Sequence, residues 1–355
     1  MSPRCLLLLM VSLLAVSCEF RPLEEPTSVS YVRIYVDEES LNVTTGFYNP
    51  DFEHPTYIHP EIFRLGLFDA STGVLVSERY LRDQGDDARG HYFEGNIIIR
   101  PGTYNLVAYN FGTESTVVGY EYNCFEIKAF TNEIAPSLKS KFKSRSKGET
   151  KADEVIRYDA DPLYIVNAER LDVPAHVGID TLRNAAGEPW FVAANLVKSY
   201  YLQIGVENAQ YIASSACLLS GMADSSHILE PDYESADETT LYFEMLSGEY
   251  PDGYKPGVKD YHCIYTTFGT FGRLPGADNI LSASFEFVTT YGKQVDTTFN
   301  IALEFLKDTA LENQWLLLDC VITIPPPGPE DPDGPPNGFA PGVDPWKDEH
   351  QEIEI

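Results

Sequence analysis

The sequence predicts an all-β protein built from two tandem sandwich units. Three observations carry that prediction. Aromatics are 12% of the chain, with 22 Tyr and 19 Phe, and such flat side chains pack well on a pleated surface. Short runs with period-two alternation recur between turn residues, and no amphipathic helix of ten or more residues competes with them. The length of 355 residues with 43% apolar content suits two packed cores, and a compositional break falls near residue 140.

Residues 1–17 read as an export signal. Arg4 precedes an apolar run from Cys5 to Val16 broken only by Ser12, and at ~1.5 Å per helical residue that run is too short to span a bilayer. It ends in Ala15-Val16-Ser17-Cys18, which resembles the lipobox of bacterial lipoproteins. The resemblance implies cleavage between Ser17 and Cys18 and acylation of the Cys18 thiol. Each buried acyl methylene contributes ~0.8 kcal/mol, so several chains on one cysteine hold a folded body at a membrane. A tether over 18–30 follows.

The first unit is expected over 31–138. It opens with Tyr31–Val36, whose alternation sets Val32, Ile34 and Val36 on one face, and further strands read over Arg64–Asp69, Val74–Tyr80, Thr116–Tyr122 and Phe125–Phe130. Pro101-Gly102 suits the centre of a type II turn, so Asn96–Tyr109 reads as a hairpin that places Tyr104, Leu106 and Ala108 on one face. Between Lys139 and Lys147 five of the chain's 25 basic residues fall in nine positions interleaved with Ser. This run reads as a linker over 139–152, with a basic docking patch or a protease-processing site as the functional alternatives.

The second unit is expected over 153–324, with strands at Ser199–Val206, Ala213–Ser220, Tyr261–Phe268, Ser282–Thr289, Asp296–Phe305 and Trp315–Ile324. The last of these looks like a central strand buried on both faces. Phe111-Gly-Thr113 and Phe268-Gly-Thr270 hint at a duplicated architecture. Nine of the final 31 residues are Pro and eight are Asp or Glu, so residues 325–355 read as a disordered, polyproline-like acidic tail.

Charge and motifs exclude much. The formal net charge of −29, from 25 basic and 54 acidic residues, repels nucleic acid. His54, His59, His91, His176, His227, His262 and His350 form no HExxH pair. GxSxG, P-loop and GxGxxG patterns are also missing, so no catalytic, cofactor or metal residues are expected. Asp83-Gln-Gly-Asp-Asp87 reads as a solvated acidic loop, with a calcium site as the alternative. Cys124, Cys217, Cys263 and Cys320 show no zinc-type spacing. Export permits a Cys263–Cys320 disulfide, against the alternative of isolated buried thiols. Trp190, Trp315 and exposed Tyr side chains are candidates for stacking on sugar rings, against the alternative of core packing.

The order of signal, lipobox, early strand, the Arg100-Pro-Gly-Thr-Tyr-Asn-Leu-Val-Ala-Tyr-Asn110 block and Cys217-Leu-Leu-Ser-Gly-Met-Ala223 resembles Bacteroidetes fimbrillin-type pilus anchor and accessory lipoproteins and related uncharacterised families. The resemblance implies two tandem transthyretin-like (Ig-like, Greek-key) sandwiches and an outer-membrane lipid anchor at the cell surface. It also implies a non-enzymatic structural or adhesion subunit that takes pilin-like β-rich partners by strand addition. A surface glycan-binding lipoprotein is the alternative function, distinguished by aromatic platforms between loops. Metabolic labelling with a fatty-acid analogue is expected to tag the wild-type chain and to leave Cys18→Ala unlabelled and soluble. Equal labelling of the two would refute lipidation.

Overall fold

The computed structural model describes residues 27–38, 59–143, 155–230, 237–249, 262–276 and 281–328. The signal, the Ser17–Cys18 junction and the acidic tail past residue 328 lie outside the described residues. Up to residue 195 the strands are β1 (Ser28–Val36), β2 (Ile62–Asp69), β3 (Leu75–Leu81), β4 (Asp83–Asp87), β5 (Gly90–Ile99), β6 (Gly102–Phe111), β7 (Thr116–Gly119), β8 (Lys128–Thr131), β9 (Ile156–Tyr158), β10 (Tyr164–Val173), β11 (Ile179–Thr181) and β12 (Phe191–Asn195). After it come β13 (Lys198–Glu207), β14 (Ile212–Ala223), β15 (Ser225–His227), β16 (Glu238–Glu249), β17 (His262–Thr270), β18 (Ser282–Thr289), β19 (Gln294–Asn300) and β20 (Trp315–Thr323). The all-β, two-sandwich architecture expected from the sequence is the one observed.

In the first sandwich the order β3-β2-β6-β10-β12-β1-β5-β4 curls into two layers. Between them lie Ile34, Phe63, Leu65, Phe93, Leu106 and Tyr164, all fully or almost fully buried. The two layers are bridged at both sides. β12 pairs antiparallel with β10 and parallel with β1, while β3 and β4 form one nearly continuous edge that pairs with β2 and then with β5. The second sandwich runs β19-β18-β14-β16-β17-β13-β20 around a core that includes Leu202, Phe243, Phe268 and Phe285. Its closed side is β16, whose first part pairs β14 and whose last residues pair β17.

Several expectations are corrected. β5 and β6 are not a hairpin: β5 pairs β1 and β4, and β6 pairs β2 and β10. Gly102 has no positive φ, so the type II turn is absent. The chain arches between layers there, because Ile97 and Ile99 share a core with Tyr104 and Leu106. The tether ends before residue 30, since β1 begins at Ser28. Lys139–Lys143 is not linker but the end of a helix, Pro136–Lys143, whose Leu138 and Phe142 pack near Tyr242. Nor do the sheets divide at 139–152. β9 joins the second sheet, β10 and β12 return to the first, and the lasting change of sheet comes between Asn195 and Lys198. β10 and β16 were not anticipated. β10 is interrupted by a bulge between Ala168 and Leu171, with Arg170 at φ 55°.

Cys124, Cys217, Cys263 and Cys320 are thiols rather than disulfide partners of one another. Cys263 pairs with Gly205 of β13, and β13 separates β17 from β20. Two strand spacings are ~10 Å, beyond the reach of a disulfide.

The two sandwiches are joined by the crossing segment Asp159-Ala160-Asp161. Asp161 accepts the N–H groups of Ser115 and of Thr116, the latter at 3.1 Å, and Ser115 Oγ donates to the Asp159 carbonyl at 2.6 Å. On the other side Ala160 N–H donates to Gly269 O at 2.9 Å, and Gly269 N–H donates to Asp159 Oδ2 at 3.3 Å. A Cβ on Gly269 would lie 1.9 Å from the Ala160 carbonyl oxygen. Gly269→Ala is therefore expected to cost at least ~3 kcal/mol, because backbone rather than a flexible side chain must give way. A urea titration checks it.

Burial holds the Asp159 carboxyl up to about 7, with the Asp161 charge adding to the rise and the Gly269 N–H opposing it. A raised carboxyl binds its proton more tightly in the folded state. Its contribution is complete below the unfolded value of 3.8 and is lost as pH rises through about 7. Asp159→Asn is expected to stabilise the protein at pH 8 by ~1–3 kcal/mol relative to its effect at pH 4. Thermal melts across that range test the sign.

Candidate functional site

The second sandwich has an open side. β19 pairs only β18 and β20 pairs only β13, so each presents an edge with no strand partner among the described residues. β20 was expected to be central, and it is an edge strand. Its apolar run buries Leu316, Leu318 and Ile322 on the core, while Val321 is exposed. Pairing with β13 is parallel and slips between Ile204 and Gly205, so that Asp319 and Cys320 stand outside the register.

The chain between the two edges fills the seam. The strand expected over Asp296–Phe305 ends at Asn300, where the side-chain oxygen accepts the Ala302 N–H at 3.1 Å. A 3-10 turn at Glu304–Leu306 and a helix at Asp308–Asn313 follow. Ile301, Ala302, Phe305 and Ala310 face the core. Phe305 meets Tyr200 edge-on at 5.2 Å. Leu303, Leu306 and Leu311 point outward, 74%, 56% and 62% exposed. Lys307 pairs with Glu304 at 2.6 Å and lies 3.7 Å from Asp319 of β20, and the Glu304 hydrogen bond is the main cause of its raised pKa. An unpaired edge lined with exposed leucines can accept an extended, apolar segment: the backbone supplies hydrogen bonds and the leucines bury area.

The large sheet of the first sandwich ends at β3 and β4, which pair β2 and β5 respectively. Asp83–Asp87 is the edge strand β4 rather than a loop, and its carboxylates alternate between faces. Asp86 meets His91 Nδ1 at 3.0 Å, whereas Asp87 accepts the Tyr35 hydroxyl at 2.7 Å and the Arg89 N–H at 2.8 Å. That alternation explains why the calcium reading finds no support. No three metal-ligating side chains gather among the described residues.

Of the two tryptophans singled out from the sequence, Trp315 is buried in the second sandwich. Trp190 stands at an open cleft of about 430 Å³ on the first, with Tyr35, Asp37, Glu38, Arg89 and Val192. The Arg89 guanidinium lies 3.7 Å over the indole, and Tyr35 meets it edge-on at 6.5 Å. The Phe-Gly-Thr repeat does not mark equivalent positions: Phe268 is core and Phe111 is half exposed.

A family model described as a domain of unknown function, DUF5119, matches residues 68–244. No curated protein matches the chain. Among solved structures, a candidate adhesin from Bacteroides ovatus is 18% identical and superposes with a TM-score of 0.52 over 84% of this chain and 94% of that one. The fimbrial anchor protein Mfa2 from Porphyromonas gingivalis has 12% identity and a TM-score of 0.45, over 84% of this chain and 91% of that one. A candidate adhesin from Bacteroides thetaiotaomicron has 11% identity and a TM-score of 0.45, over 85% and 93%. The structural neighbours are thus fimbrial anchor and adhesin proteins of Bacteroidetes, the group the sequence resembles. The likeness is one of fold.

Proposed function

We propose that this chain is a lipid-anchored, outer-membrane structural or adhesion subunit of the cell surface, of the fimbrial anchor or accessory kind. It joins other β-rich subunits by accepting a strand at its open edge. The observation that carries the reading is the edge of β20, which has no strand partner among the described residues, beside exposed Leu303, Leu306, Leu311 and Val321. Exposed apolar groups of that size along a free strand are a liability in a protein that works alone, and natural edges are normally guarded by charge, brevity or cover. β4 shows such guarding, with three aspartates in five residues. The Ala15–Cys18 junction supports the anchor, and the fold likeness supports the class.

A photo-crosslinking residue placed at Val321 or Thr323 on intact cells is expected to capture another β-rich surface subunit, identified by mass spectrometry. The same residue at Asp86 should capture none. Equal capture from both edges, or none from β20, overturns strand addition there.

A further inference from the structure

Three stretches of chain meet at the end of the first sandwich where β1 starts. Ser28 of β1 lies opposite Ile99 of β5, the arch Arg100-Pro101-Gly102 follows Ile99, and Val173 at the end of β10 pairs with Gly102. The loop Pro174–Gly178 then returns the chain to β1, which β11 joins in parallel. Along β1, Ser30, Val32 and Ile34 take the core side, so Val29 and Tyr31 look outward. Register sets Val29 between Ile98 of β5 and Ile179 of β11. Residues directly opposite on neighbouring strands share a face, so these three make an apolar row across the outside of the layer. Ile98 is 63% and Ile179 65% exposed, and Val177, two residues before Ile179, is fully exposed. The loop that carries Val177 is pinned in place. The ring nitrogens of His176 lie 2.9 Å from the Val29 carbonyl oxygen and 3.0 Å from that of Pro174, and these two hydrogen bonds raise its pKa.

The core does not need this row, because Ile97 and Ile99 already fill their side of β5. Position and charge indicate what covers it. Ser28 stands ten residues after Cys18, and ten residues span at most ~36 Å even when fully extended. Acyl chains on Cys18 therefore hold this end of the sandwich, and no other, close to the membrane. The chain as a whole carries a net charge of −29, yet the stretches 27–31, 96–104 and 170–181 that build this end hold two arginines, Arg100 and Arg170, and two aspartates, Asp172 and Asp180. Their charges cancel, so this end lacks the repulsion that the rest of the polyanion presents to a surface. Both aspartates are also engaged: Asp172 accepts the Thr103 hydroxyl at 2.7 Å, and Asp180 accepts the Thr181 N–H at 2.8 Å. The row itself is aliphatic and offers no polar group for a specific partner to read. Lipid suits it, since burial in the boundary between headgroups and acyl chains rewards apolar area alone.

We propose that this end of the first sandwich rests on the bilayer, with Val177, Ile179 and Ile98 set among the lipid headgroups and upper acyl chains. The proposal rests on the lipid-anchor reading, and its test separates the two. In one arm the full chain, purified from cells and reconstituted on phosphatidylethanolamine–phosphatidylglycerol vesicles, carries a photo-crosslinking residue at Val177. In the other, the Cys18→Ala mature chain carries the same residue and a hexahistidine tag before position 18, and a nickel-chelating lipid holds it on the same vesicles. Val177 is expected to form a lipid adduct, read as a mass shift, in both arms. The same probe at exposed Phe111, at the far end of β6, should form almost none. Adducts in the tagged arm alone uphold the docking and count against acylation of Cys18. Ile98→Thr with Ile179→Thr keeps the β-branching that suits strands, and should lower the Val177 adduct about threefold or more as apolar area leaves the contact. Thermal melts must show that variant folded. The proposal is overturned if the tagged chain gives no lipid adduct at Val177, if Phe111 labels equally, if Val177 captures a second copy of the chain instead of lipid, or if the folded double variant labels as wild type.

Discussion

The arrangement of both sandwiches depends on a three-residue crossing, Asp159-Ala160-Asp161. It is held from one side by Ser115 and Thr116 and from the other by the backbone of Gly269. The contact is close enough that only glycine fits at 269. Around it the chain changes sheet repeatedly. β9 belongs to the second sandwich, β10 to β12 belong to the first, and β15 pairs with β8 in a small sheet between them. The apolar layer of Phe68, Val107, Ile127, Ile165 and Ile228 fills the space beneath that small sheet. Two units that a linear reading separates are thus sewn together by strands that each needs from the other's stretch of chain.

The two sandwiches solve the problem of their edges differently. In the first, β12 and the β3–β4 stretch pass from one layer to the other, and the sheet ends at β3 and at the aspartate-rich β4. The second spends one side on closure and leaves the other plugged by a turn and a short helix. A plug of that kind completes the core through Phe305 and Ala310 without adding a second strand to β19 or β20 among the described residues. The asymmetry gathers β19 and β20, each with one strand partner among the described residues, at one seam of the second sandwich.

Strand identity was legible and strand partnership was not. Ser282–Thr289 was read with its observed bounds, because Ala283, Phe285 and Phe287 alternate cleanly onto the core. Period two reports which face a residue takes, but it is silent on the neighbour. Asn96–Tyr109 therefore reads as a hairpin when it is an arch between layers, and Trp315–Ile324 as central when β20 has a single strand partner among the described residues. The Lys139–Lys147 run looked like a boundary because composition marks solvent exposure, and a helix lying on the outside of a sheet is exposed along one side as surely as a linker is. Trp190 was noticed as a residue. Its setting was not, since that is assembled by register between β1, β4 and β5 and by Arg89 folding back over the indole.

The parallel pairing of β12 with β1 joins residues 191–193 to residues 34–36. Contacts so distant in sequence constrain the order in which the layers can close. The layer made by β1, β5 and β4 acquires its closing neighbour only when about 195 residues have emerged, and β10 must arrive before β6 is covered on its second edge. A chain that emerges from its N-terminus therefore passes through a long interval with strand edges uncovered, the condition under which folding is slow and holding factors matter.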